Sequence, residues 1–318
     1  MHVEESLHIV AAREKHTHTI IFLHGCESTA SEFASEFFES QASDDRTLPE
    51  IFPTVKWVFP NSGLRKSIRF DTEESQWFDM WDVKKPLERK ETQIEGLRES
   101  ISFILSIVRE EASIVQPERI ILGGSKWLSN TSQVLVGFMS STLQSLLHSG
   151  HLWLRSFISI ERLLTQSFTV SQGCATAIHA LLYGGIRLGG FIGLSSWLPF
   201  QDDIEQLARY SSSNCSLLHN IRRIFNNSKT SNNKSIIPLT DDLYLGMELA
   251  FKTPVFISHS KDDKTVPFRN GDQLQWDLEE VLGFDVTFKP YDDGDHWVNE
   301  PNGVDDIVAF VRKHVIKA

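Results

Sequence analysis

Ser171-Gln172-Gly173 stands at the head of "CATAIHALLYGG", which reads as a helix over 173–184. Further along come "SKDDKTVP" (260–267) and "DDGDHWVNEP" (292–301). A serine hydroxyl is a weak nucleophile until a neighbouring imidazole takes its proton. A buried carboxylate can fix that imidazole's tautomer and steady its charged form. Ser171, a carboxylate of 260–267 and His296, in that chain order, supply the three parts. The backbone N–H of Gln172, and one from the loop after "FLHG" (22–25), would hold the oxyanion of a tetrahedral intermediate.

Taken singly, each of these residues has an ordinary role. Ser171 could simply cap the helix that follows it, and His296 could be a turn histidine. Asp262, Asp292, Asp293 and Asp295 have the composition of turns. His259 sits inside an apolar run and reads as structural. A metal site built from His259, His296 and these carboxylates finds no support in ligand spacing. Order along the chain and placement after strands are what raise the set above its parts.

Positioning them falls to a series of short apolar runs. "HTIIFLHG" (18–25), "TVKWVFPN" (54–61), "RIILGG" (119–124), "GGFIGLSSW" (189–197), "TPVFISHS" (253–260) and "DVTFKPY" (285–291) read as strands. Helical patterns over 30–41, 95–113, 173–184 and 303–315 alternate with them. Apolar strands alternating with helices predict a mostly parallel central sheet with helices on both faces. In such sheets the loops at the carboxyl ends of strands bind ligands, and the three stretches above all lie there.

Two segments break the rhythm. Residues 201–250, with "YSSSNCS" and "NNSKTSNNKS", read as a polar loop insertion or as a cap over the site. Residues 126–169 are rich in leucine and serine, contain no Asp and no Pro, and match neither a linker nor their surroundings. The rest reads as a single domain over 1–318.

"IIFLHG", "QWFDMW", "RIILGG", "SQGCATAIHALL", "GLSSWLP", "DDKTVP" and "GDHWVNEP" resemble the phospholipase/carboxylesterase family, which includes acyl-protein thioesterases. The resemblance runs from about residue 18 to the C-terminus, the two interruptions excepted. It implies an α/β-hydrolase that cleaves carboxylic esters or thioesters, S-acylated proteins and lysophospholipids among them, without a cofactor. By position it makes Ser171 the nucleophile, Asp263 the orienting acid and His296 the base. The oxyanion donors become the backbone N–H groups of Cys26 and Gln172, with Trp77 and Phe78 near the acyl site.

The chain departs from that family twice. Where a glycine usually follows one residue after His24-Gly25, this chain has Glu27, which brings a Cβ and a charge beside the oxyanion. Then "GG" at 123–124 is severed from "SQG", so that Thr169 and Val170 precede the serine in place of a small residue. Ser125-Lys126-Trp127 can be encoded AGT-AAG-TGG, which contains GTAAGT, an intron start. Phe168-Thr169-Val170 can be encoded TTC-ACA-GTC, which contains an intron-ending CAG. Splicing between them leaves one in-frame isoleucine and an unbroken Gly-Gly-Ile-Ser-Gln-Gly. Residues 126–169 therefore read as a translated intron, with an inserted helical hairpin as the alternative. A hydrolase fold left inactive by the interrupted elbow, at most binding acyl ligands, is the alternative for function.

A net charge of −11 opposes polyanion binding and argues against nucleic acid. Without an apolar run of transmembrane length, and with a charged start, the chain reads as cytoplasmic. Three cysteines make no complete disulfide framework. Oligomeric state is not legible.

Overall fold

The computed structural model describes residues 6–82, 84–125, 171–226 and 249–316. Residues 126–169, read above as an insertion, lie outside them. Nine strands form among the described residues: β1 (Leu7–Val10), β2 (His18–Leu23), β3 (Val55–Pro60), β4 (Leu64–Ser67), β5 (Thr72–Ser75), β6 (Ile120–Gly124), β7 (Gly190–Leu194), β8 (Val255–Ser260) and β9 (Val286–Tyr291). β4 and β5 make a separate hairpin, and the rest form one sheet in the order β1-β3-β2-β6-β7-β8-β9. Every neighbouring pair in it is parallel except the edge pair β1–β3.

A strand buried on both faces must be apolar at successive positions, because neighbouring side chains point to opposite sides. Ile21 and Leu23 of β2, Ile120 and Leu122 of β6 and Val255 and Ile257 of β8 enter one core. Helices α2 (Gln93–Ala112) and α3 (Gln172–Gly184) cover that face. Ile20, Phe22, Ile121 and Phe256 enter the other core, under α1 (Ala30–Phe37) and α7 (Asn302–His314). Thr29 and Glu32 form a capping box at the start of α1. Helix α3 is buried along nearly its whole length, which accounts for its Ala, Cys, Ile and Leu content. The α/β architecture is the one expected from the alternation of strands and helices.

The segment read as one polar insertion over 201–250 begins differently. Helices α4 (Gln201–Tyr210) and α5 (Asn214–Asn226) occupy its first half. Leu217, Leu218, Ile221 and Phe225 of α5 are buried in the same core as α3. The serines and asparagine of "YSSSNCS" lie where one helix ends and the next starts. The remainder, 227–248, lies outside the described residues. α6 (Phe268–Trp276) completes the helices that bear on the site. No helix among the described residues is long and apolar enough to cross a membrane.

Candidate active site

The strand order reverses at the β2–β6 boundary, where a crevice opens at the carboxyl ends of the strands. Gly124 ends β6 there, and the Ser125 N–H donates to the Leu23 carbonyl at 3.0 Å, continuing the pairing with β2. The start of α3 presses into the same corner. A Cβ on Gly173 would stand 2.3 Å from the Leu23 carbonyl oxygen, so only glycine fits. Ser171 is the N-cap of α3, with φ −64° and ψ 47°.

Ser171, His296 and Asp263 converge from three different loops. Ser171 Oγ lies 3.0 Å from His296 Nε2, and both residues are fully buried. His296 Nδ1 bonds Asp263 Oδ2 on its other side. Asp263 Oδ1 accepts two backbone N–H groups, from Thr265 at 2.8 Å and Val266 at 2.9 Å. Burial would raise the Asp263 pKa. The N–H donors of His259 and His296 outweigh that and hold it well below the usual carboxylate range.

The remaining acidic residues of these loops act as turn formers. Asp262 accepts the Asp295 N–H at 2.8 Å, tying the loop that carries His296 to the one that carries Asp263. Asp295 has φ 49°, a left-handed turn position that Asp tolerates. Asp292 forms an exposed pair with Lys261 at 2.6 Å, and Asp293 accepts from Asn299. His259, expected to be structural, is buried with Nε2 at 3.1 Å from Asp263 Oδ2.

Gln172 is the first residue of α3, and a helix leaves its first N–H groups without partners of its own. Its side chain clasps the neighbouring chain: Oε1 accepts from the Trp77 N–H at 2.8 Å, while Nε2 donates to the Phe78 carbonyl at 2.8 Å. The Trp77 indole N–H donates to the His24 carbonyl at 2.8 Å. His24 Nδ1 lies 2.5 Å from the Gly25 carbonyl, and its Nε2 accepts from the Ser62 N–H. That fixes one tautomer, and burial pushes the His24 pKa down to about 4. The Glu27 N–H is engaged by the Ser75 carbonyl at 2.7 Å. Glu27 has φ 61°, so the position is one that favours glycine.

Cys26 and Gln172 both line a cavity of about 230 Å³. Its apolar wall is Phe70, Met80 and Trp81, and Arg69, Glu74, Asp82 and Lys84 make a mixed-charge rim. Trp77 and Phe78, expected near the acyl site, are fully buried and brace Gln172 from behind. Met80 and Trp81 follow them in the same "QWFDMW" stretch and were not singled out from sequence.

Residues 4–125 match the family described as phospholipase/carboxylesterase, and the match ends where β6 delivers Ser125. Over that stretch the chain is similar to the phospholipase/carboxylesterase family. It is 23% identical over 313 residues to acyl-protein thioesterase 1 of Gibberella zeae, covering 96% of this chain and 94% of that one. The corresponding protein of Aspergillus fumigatus is 23% identical over 312 residues, covering 96% and 91%. Among solved structures, Zea mays acyl-protein thioesterase 2 superposes with a TM-score of 0.56 at 18% identity, covering 97% of this chain and 98% of that one. Arabidopsis thaliana SOBER1 gives 0.56 at 17%, covering 94% and 99%. These structural likenesses establish the α/β-hydrolase fold. The sequence likenesses are to carboxylic ester and thioester hydrolases.

Proposed function

We propose that this chain cleaves acyl esters and thioesters, with S-acylated proteins or lysophospholipids as substrates, through an acyl-enzyme on Ser171. The observation that carries the reading is the 3.0 Å approach of Ser171 Oγ to His296 Nε2, with Asp263 on the other ring nitrogen. His296 takes the hydroxyl proton as Oγ bonds the acyl carbon. The resulting oxyanion is held by the N–H groups of Cys26 and Gln172. Collapse breaks the bond to the thiolate or alkoxide, which leaves with the proton from His296. A water molecule then repeats the sequence on the acyl-enzyme, releasing the carboxylic acid and restoring Ser171. The ionised Asp263 holds the imidazole tautomer and balances its charge through both halves.

The cytoplasm is the proposed site of action; among the described residues no disulfide links Cys26, Cys174 or Cys215. A second reading, an inactive fold that only binds acyl ligands, draws on Glu27. This non-glycine residue at φ 61° puts a carboxylate on the turn that presents Cys26. A serine-reactive fluorophosphonate separates the two readings. The full chain is expected to label and Ser171→Ala is expected not to, with loss of p-nitrophenyl ester hydrolysis. Equal labelling or equal hydrolysis in Ser171→Ala overturns the assignment, and no labelling of the full chain favours the inactive fold.

A further inference from the structure

Asp263 Oδ2 carries two imidazoles. His296 Nδ1 reaches it from the loop after β9, and His259 Nε2 reaches it from β8 at 3.1 Å. His259 Nε2 is also 2.9 Å from the Val266 carbonyl. A carbonyl only accepts, so the hydrogen of His259 lies on Nε2 and is shared between that carbonyl and the carboxylate. Nδ1 of the same ring has no hydrogen-bond partner among the described residues. The ring is wedged against α6: a Cβ on Gly271 would stand 2.1 Å from His259 Nδ1. Phe268 meets its face edge-on at 5.8 Å between ring centres. Ring position and donor direction are thus set by α6 on one side and by the two Nε2 acceptors on the other.

With Thr265 and Val266 on Oδ1, the carboxylate of Asp263 has four N–H donors. Three hold it in place, and the fourth is the one that belongs to the proposed base. We infer that His259 is a positioning residue for the proposed reaction: its Nε2–H anchors the oxygen of Asp263 that faces His296 and draws negative charge away from it. This rests on the reading of Asp263 and His296 as acid and base. The consequence for His296 has a definite sign. Less charge on Oδ2 stabilises the imidazolium less, so His259 keeps the base easier to deprotonate than Asp263 alone would.

Other charged groups of these loops are turned to one another at the rim. Asp262 takes the Asp295 N–H, Asp295 takes the Lys264 N–H at 3.5 Å, and Lys261 pairs with Asp292. From α6 the ring meets Phe268 and Gly271, neither of which titrates. Asp263 is therefore the charged group that His259 acts on.

The test is the pH profile of kcat/KM for p-nitrophenyl ester hydrolysis by the full chain and its variants. His259→Phe keeps a ring and removes the donor. It is expected to move the acid limb up by about half a pH unit or more, and to lower kcat about tenfold through a less well-held carboxylate, with KM little changed. His259→Gln, whose amide nitrogen can stand near the place of Nε2, is expected to return the limb toward wild type. If His259→Phe does not fold, the tautomer of His259 in ¹⁵N-histidine spectra of the wild-type chain decides. A hydrogen on Nε2 supports the proposal, and a hydrogen on Nδ1 overturns it. An unshifted limb with wild-type kcat in folded His259→Phe also overturns it. Failure of the underlying reading looks different: His296→Ala or Asp263→Asn would then retain activity.

Discussion

Gly124 and Gly173 are in atomic contact although residues 125–172 separate them in the chain. A Cβ placed on Gly124 would fall 2.5 Å from the Gly173 carbonyl carbon and 2.5 Å from the Cys174 nitrogen. Strand and helix thus meet as in an uninterrupted strand–turn–helix, and a single residue is the natural bridge. Replacing 125–170 by one isoleucine is expected to preserve the fold and raise kcat/KM at least about tenfold, ~1.4 kcal/mol in transition-state terms. Parallel ester assays of the two chains check it. Equal activity removes the intron reading and makes the segment a genuine part of the enzyme.

Glu27→Gly is expected to raise kcat. The substitution removes a carboxylate from the turn that offers Cys26 and relieves a side chain held at φ 61°. Because Glu27 is exposed, solvent screens its charge, and a gain of about two- to fivefold is the reasonable scale. KM should change less than kcat. An unchanged or lower kcat rejects the electrostatic account of this position.

Stability is expected to fall on acidification between pH 6.5 and about 4. Burial holds both His24 and His179 down from 6.5 to about 4. In that window the unfolded chain binds more protons than the folded one, so stability rises with pH. The contribution is fully present above pH 6.5 and is lost as pH falls toward 4, at roughly 3 kcal/mol for each histidine. His179→Gln, which keeps a donor for the Pro199 carbonyl, should remove about half of that dependence. Urea unfolding across the window measures it, and a slope identical to wild type would refute the assignment.

Phe225→Ala is expected to cost about 3–5 kcal/mol, the usual scale for a large aromatic lost from a core. Phe225 meets His179 and Phe200 edge-on at 5.1 Å and 5.6 Å between ring centres. Chemical denaturation reads the loss directly. A change below about 1 kcal/mol would mean that α5 is peripheral.

How far sequence reached depended on how strongly burial was written into each segment. β6 and β8 were legible because each opens on an apolar run, "IIL" and "VFI", suited to a strand covered on both faces. β1 and the β4–β5 hairpin went unread because "LHIV", "LRKS" and "TEES" are short, half-exposed and partly polar. α5 was hidden by composition: its leucines, isoleucine and phenylalanine are spaced for one buried face, but the surrounding Ser and Asn gave the stretch the composition of a polar loop. Ser171 and His296 stood out through chain order, whereas the choice of Asp263 over Asp262 needed the family resemblance. No pattern in the sequence could show that the Gln172 side chain grips the backbone of Trp77 and Phe78, since that pairing exists only once the loops have folded.

That grip has an evolutionary consequence. The amide of Gln172 joins the start of α3 to the same short segment whose next residues, Met80 and Trp81, wall the cavity. If the cavity takes the acyl chain, selectivity and turnover sit on one lever. On the proposed function, reshaping the wall for a different chain length would also shift the Gln172 N–H, so a change in substrate preference here would carry a change in rate. New specificity in this chain would be easier to acquire at the charged rim, through Arg69, Glu74 and Lys84, which can change without pulling on the helix.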